Sequence, residues 1–268
     1  MRTALTGKVA IVTGAAQGLG EAYATRLAAE GALVIAVDHQ PGVADVAARI
    51  GATPVVADIS TAEGVAASVA VAVAARGGVD VLVNNAGRWK QTPCDADDRA
   101  QDLADFHDLF DTNLRGVFQM THAVVPSMIG RGGGDIVNIS TYYVLPPRPA
   151  ESPGTNPPGT DVYNASKWGL NGFTQSWALT LRKHGIRVNA LAMGATDAPM
   201  LRNLFKLRGI DPPPAEVVAQ WMTTAQQSQL LIDLLSEGRD GRSGEVIGSW
   251  VGHPVELPPR RRRGELMI

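Results

Sequence analysis

The sequence predicts an α/β fold: a single domain on a doubly wound parallel sheet of about seven strands, with helices on both faces. Three observations predict it. Short apolar runs alternate with longer stretches of helical character along the whole chain. A glycine-rich turn joins the first apolar run to the first helical stretch. No break in composition divides the 268 residues. A chain of this length can bury roughly 70–75% of its unfolded surface in one core.

The elements follow in order. Val9–Thr13 is apolar and ends at Gly14, which suits a strand buried on both faces. A helix runs from about Leu19 to Glu30 and stops at Gly31. Ala32–Val37 reads as the second strand, Val43–Ile50 as a helix and Thr53–Ala57 as the third strand. Thr61–Arg76 is an Ala/Val-rich helix closed by Gly77 and Gly78, and Val79–Val83 is the fourth strand. The stretch Thr92–Asp105 is polar and acidic and reads as a connection to a long helix over Phe106–Met128. Gly132, Gly133 and Gly134 precede a fifth strand, Asp135–Ile139.

Next comes an irregular stretch, 145–160. Pro146, Pro147, Pro149, Pro153, Pro157 and Pro158 forbid both helix and central strand there. A loop of this length in a compact domain points to function. Val162–Lys183 is helical and Ile186–Ala192 is the sixth strand. A segment at about 196–222 is expected to cover the substrate. A helix at Ala225–Leu235 and a strand at Glu245–Trp250 complete the domain, and 258–268 is a basic tail.

Composition narrows the function. The formal net charge is −2, so no nucleic-acid partner is expected. Arg260 to Arg263 form the one basic run and read as a solvated tail. Cys94 is the single cysteine, which excludes an intrachain disulfide and a cysteine-rich metal site; no metal is expected. No signal-peptide layout and no long apolar span are present, so no membrane association is expected and the location expected is cytoplasmic.

Gly14, Gly18 and Gly20, with Gln17 and Leu19 between them, lie where the first strand meets the first helix. Glycines there let the backbone approach a pyrophosphate, and the helix N-terminus offers unpaired N–H groups. The spacing is G-x-x-x-G-x-G rather than G-x-G-x-x-G. Asp38 follows the second strand, where a carboxylate accepts from ribose hydroxyls and repels a 2′-phosphate; this favours NAD over NADP. His39 beside it could add weak positive charge. Asp58, with Ile59 next to it, either reaches the adenine or caps a helix near Ser60 and Thr61.

Tyr163 and Lys167 lie four apart on one predicted helix and share a face. A phenol titrates near ~10 in water, and a neighbouring ammonium lowers that value toward useful acid/base chemistry. Ser140 falls at the end of the fifth strand and either bonds a substrate oxygen or caps a turn.

Taken together, these residues resemble the short-chain dehydrogenase/reductase family from Gly7 to about Val251. The resemblance rests on Thr13 to Gly20, Asn84-Asn85-Ala86-Gly87, Asn113, Ser140, Tyr163-Asn-Ala-Ser-Lys167 and Arg187-Val-Asn-Ala190. It implies a Rossmann-like fold and an NAD-dependent oxidoreductase acting on a small-molecule secondary alcohol or ketone. It also implies roles: Tyr163 moves the proton, Lys167 binds the nicotinamide ribose, and Ser140 steadies the substrate oxygen. Asn113 bends its helix and holds a water in a proton relay. Asn85, Ala86 and Gly87 line the adenosine side. A homo-oligomer, tetramer or dimer, is implied as well.

The chain departs from the family pattern in four places. Met193 replaces a proline after the sixth strand, and Ala198 stands where a threonine is expected, leaving the Thr196 backbone for the carboxamide. Ser140 and Tyr163 are farther apart than is usual, so Tyr142 and Tyr143 are expected to shape specificity. Gly248-Ser-Trp-Val-Gly-His253 replaces the usual Asp-Gly-Gly ending. Leu201, Leu204, Phe205, Leu207, Trp221 and Met222 suggest an apolar substrate site and thus a small-to-medium apolar or cyclic alcohol. Two other readings remain: a catalytically idle NAD-binding sensor or scaffold, and an epimerase or dehydratase on the same fold.

Overall fold

The structure, a computed structural model, describes residues 5–95, 97–145 and 159–260. Seven strands form one sheet in the order β3-β2-β1-β4-β5-β6-β7, and every pairing is parallel. The strands are β1 (Val9–Thr13), β2 (Leu33–Asp38), β3 (Thr53–Val56), β4 (Val81–Asn84), β5 (Gly134–Thr141), β6 (Ile186–Met193) and β7 (Val246–Gly248). The central strands are apolar on both sides because both faces are covered. On one face Val12, Val34, Val137 and Leu191 pack against Leu27 of α1 (Gly18–Ala29) and Leu230, Leu231 and Leu234 of α9 (Thr224–Ser236). On the other, Ile11, Ile35, Leu82, Ile136 and Val188 meet α3 (Ala62–Arg76), α5 (Val117–Gly130) and α6 (Asp161–Leu181). The remaining helices are α2 (Val43–Ile50), α4 (Arg99–Phe110), α7 (Pro199–Leu207) and α8 (Ala215–Val218).

Strand order reverses between β1 and β4, so their C-terminal ends diverge and open a crevice. That topology positions the site.

The structure corrects the sequence reading at several elements. Helix α4 begins at Arg99, within the stretch read as a connection. Asp98 caps it by accepting from Gln101 N at 3.0 Å, and Gln101 Nε2 donates to Asp105 at 2.8 Å. These polar turns obscure the apolar period that marks a buried helix. The long helix is also not one α-helix: a π-helical turn, Asp111–Gly116, separates α4 from α5. The segment at 196–222 contains two helices, α7 and α8, that the sequence reading did not resolve. Most of the proline-rich loop (146–158) and the tail at 261–268 lie outside the described residues. The loop's described end is tied down, with Thr92 N donating to Gly159 O at 2.7 Å.

Among the described residues no group of potential ligands could hold a metal ion, and no helix is long and apolar enough to cross a membrane. Cys94 is exposed.

Candidate active site

One cleft runs across the crevice. It is lined by the glycine turn, Asp38, Asp58, Ile59, Asn85 to Gly87, Ser140 to Tyr143, Tyr163, Lys167 and the turn after β6. Every cofactor residue expected from the sequence, together with Ser140 and Tyr142, therefore borders one continuous space.

At the sheet end, the turn from β1 to α1 needs its glycines. Gly14 has φ +69°, and a side chain there would bring Cβ within 2.8 Å of Ala86 Cα. A Cβ on Gly20 would collide with the Gly14 carbonyl oxygen. The turn is held by Asn85, whose Nδ2 donates to Thr13 O at 2.9 Å and Gly14 O at 3.2 Å. Thr13 Oγ1 accepts from both Asn85 N and Ala86 N at 3.0 Å. The Gln17 side chain at the N-cap of α1 makes no capping bond, which leaves the helix N-terminus suited to an anionic ligand. These features fit a dinucleotide pyrophosphate.

Asp38 closes β2 and is buried. Its carboxylate accepts from Ala16 N at 3.0 Å and Gln40 N at 2.9 Å, and His39 Nδ1 lies 3.1 Å away. Those contacts fix both oxygens beside the glycine turn while leaving lone pairs for hydroxyl donors. Asp58 does not cap α3. That role falls to Thr61, which accepts from Gly64 N at 3.0 Å. Burial pushes the Asp58 carboxyl up, but hydrogen bonds from Ser60 and the charge of Arg88 hold it below the usual carboxylate range.

At the other end, Tyr163 and Lys167 share the buried face of α6. Lys167 Nζ donates to Ile139 O at 2.8 Å and lies 5.8 Å from the centre of the Tyr163 ring. Burial depresses the ammonium from 10.5 to about 8. Burial also holds the Tyr163 phenol above its ordinary range; Tyr143 adds to this, and a hydrogen bond with the Thr141 side chain opposes it. The sequence reading expected the lysine to lower the phenol. In the protein by itself, dehydration of the tyrosine outweighs any such effect.

Asn113 sits fully buried in the π-helical turn. Its Oδ1 accepts from Arg88 N at 2.7 Å. Its Nδ2 donates to Arg88 O at 2.9 Å and Ser166 Oγ at 3.1 Å. It thus clamps the loop after β4 to α6, one residue from Lys167.

Ser140 borders the cleft, and its Oγ donates to Asn171 Oδ1 at 3.0 Å, next to a buried amide chain in which Asn138 Nδ2 donates to Thr174 Oγ1 at 2.9 Å. Strand alternation points Ser140 and Thr141 to opposite faces. Thr141 Oγ1 accepts from Tyr143 N at 3.4 Å, and the Thr141 side chain opposes the upward shift of the Tyr163 phenol. Sequence reasoning missed Thr141. The available signal was that Asn138 and Ser140 share one face of β5, so the buried polar set ends at Ser140 and the next hydroxyl faces away from it.

The apolar residues of the covering segment also sort differently than expected. Met200, Leu201 and Leu204 line the cleft. Phe205 and Trp221 pack on each other with centroids 5.2 Å apart, Met222 is buried, and Leu207 is 77% exposed. Tyr142 packs edge-on to Trp250 at 5.6 Å.

The chain is similar to known proteins along most of its length. Residues 8–208 match the family model for short chain dehydrogenases. Oxidoreductase UcpA of Escherichia coli (strain K12) is 36% identical over 239 residues, spanning 87% of this chain and 86% of the relative. A 3-ketoacyl-(acyl-carrier-protein) reductase from Brucella melitensis complexed with NADH is 32% identical, with a TM-score of 0.78 over 93% of this chain and 99% of that one. A structure described as an NAD(P)-dependent gluconate 5-dehydrogenase from Beutenbergia cavernae, with NADP at low occupancy, is 29% identical, with a TM-score of 0.76 over 96% and 98%.

Proposed function

The chain belongs to the short-chain dehydrogenase/reductase family, and on that premise we propose that it interconverts a secondary alcohol and a ketone with NAD. The observation that carries the reading is the single cleft joining the glycine turn and Asp38 to Tyr163 and Lys167. Bound nicotinamide would supply the hydride chemistry; the protein supplies orientation and electrostatics.

The glycine turn and the α1 N-terminus hold the pyrophosphate. Asp38 accepts from the adenosine ribose hydroxyls, and Asp58 and Ile59 border the adenine. Lys167 keeps donors beyond its bond to Ile139 O, and these bind the nicotinamide ribose. Tyr163 accepts the alcohol proton in oxidation and donates it in reduction. Thr141, rather than Ser140, donates to the substrate oxygen, because the Ser140 proton is engaged by Asn171. Asn113 holds the loop and helix together and supports a water relay toward Lys167. Met200, Leu201, Leu204 and Tyr142 favour a small-to-medium apolar or cyclic alcohol.

Asp38 supports NAD over NADP, since a buried carboxylate repels a 2′-phosphate. The exposed Phe118, Trp168 and Leu179 on α5 and α6 support a homo-oligomer. The 196–222 segment serves as a substrate lid.

A panel of secondary alcohols with NAD or NADP, followed by the growth of reduced-cofactor absorbance, tests the reading. Turnover is expected with NAD, with an efficiency over NADP of roughly tenfold or more. Equal efficiency with both would contradict the Asp38 assignment, and no reduced cofactor with any alcohol would contradict the reaction.

A further inference from the structure

The turn leaving β6 carries one departure from the family pattern, Met193 in place of proline. The chain's last strand leads into another, the segment around Ser249. The structure brings the two into contact: Ser249 Oγ lies 3.8 Å from Met193 Sδ. The Ser249 backbone N–H donates to Ala192 O at 3.0 Å, and Gly194 N donates to Ser249 Oγ at 3.4 Å. On the other side Met222 brackets the same turn, with Met222 N donating to Ala195 O at 2.9 Å and Asp197 N donating to Met222 O at 2.8 Å.

Gln227 of α9 stands between the brackets and has no exposed surface. Its Nε2, with two protons to give, lies 2.9 Å from Ser249 Oγ, 3.3 Å from Thr196 Oγ1 and 3.2 Å from Met222 Sδ. Its Oε1 accepts from Ser249 Oγ at 3.2 Å. Nearby positions on α9 are Leu230, Leu231 and Leu234, all core. An apolar side chain would fit such a place at lower cost, because a buried amide is tolerated only when its bonds are made. Here every bond goes to the turn or to one of its two brackets. The proline of the family pattern would stiffen this turn by fixing φ; a methionine does not.

We propose that Gln227 is a positioning residue that holds the 193–196 turn in the shape that receives the nicotinamide carboxamide. It acts through Thr196 and Ser249 and touches neither cofactor nor substrate. The proposal rests on the NAD reading above.

Titration calorimetry with NADH and with ADP-ribose, which lacks the nicotinamide, separates positioning from general structural support. The proteins are wild type, Gln227→Met and Ser249→Ala. In Gln227→Met, NADH affinity is expected to fall about fivefold or more while ADP-ribose affinity stays within about twofold. Ser249→Ala is expected to shift the ratio in the same direction and carries the test if Gln227→Met does not fold. Parallel weakening of both ligands, or an unchanged ratio in the folded variants, would overturn the Gln227 assignment alone. Wild-type protein that binds neither ligand would overturn the NAD reading, and this proposal with it.

Discussion

Tyr163 and Lys167 sit one helical turn apart, and burial pushes both toward their neutral forms. For the lysine this has a stability cost with a defined pH window. Its folded value of about 8 lies below the ordinary 10.5, so the folded state binds fewer protons between those values. The penalty is fully present below pH 8 and is relieved as pH rises toward 10.5. Lys167→Met should therefore be more stable than wild type at pH 7 by roughly 2 kcal/mol after allowing for the lost bond to Ile139 O, and so melt higher. Thermal melts across pH 7 to 10 should show that advantage shrinking, while turnover is lost. A lysine that instead stabilises the fold at pH 7 would contradict this account.

The neighbouring hydroxyls make a paired prediction. Thr141→Val should lower kcat/KM by roughly 10²–10³, as removal of an oxyanion donor does. Ser140→Ala should keep most of its turnover but lose roughly 1–3 kcal/mol of stability, because Asn171 Oδ1 is left buried without its donor. Steady-state kinetics and denaturant midpoints on the two variants decide it, and the opposite pattern would restore the role to Ser140.

At the scale of elements, Asn113 ties the π-helical turn between α4 and α5 to the loop after β4 and to α6. Asn113→Ala removes three hydrogen bonds at a fully buried position and should cost roughly 2–4 kcal/mol, read as a lower denaturant midpoint. A change within experimental error would mean that the clamp is not what holds the turn. Elements of this kind also mark where the sequence was legible. The strands β1, β2 and β4 could be read because both faces are covered, which forces continuous apolar runs. The glycine turn could be read because the geometry at Gly14 admits no side chain. Helix α4 could not, because its first turns face solvent and ion pairs such as Lys90 with Asp105 at 2.7 Å. The roles of Ser140 and Thr141 could not be separated because adjacent hydroxyls differ only in the face they take, which the partner helix decides. The Gln227 contacts join residues up to 31 positions apart and leave no local pattern.

Across the whole molecule, the account depends on the reversal of strand order between β1 and β4. That reversal lets a turn near the N-terminus and a helix from the middle of the chain border one cleft, with α9 and β7 bracing the turn after β6 from behind. The division of labour is then separable: one end binds the dinucleotide and the other moves the proton. Tyr163→Phe tests that division most directly, with NADH binding and alcohol oxidation measured on the same sample. The account predicts near-wild-type binding and a loss of turnover of at least about 10²-fold. Turnover preserved in that variant would contradict it.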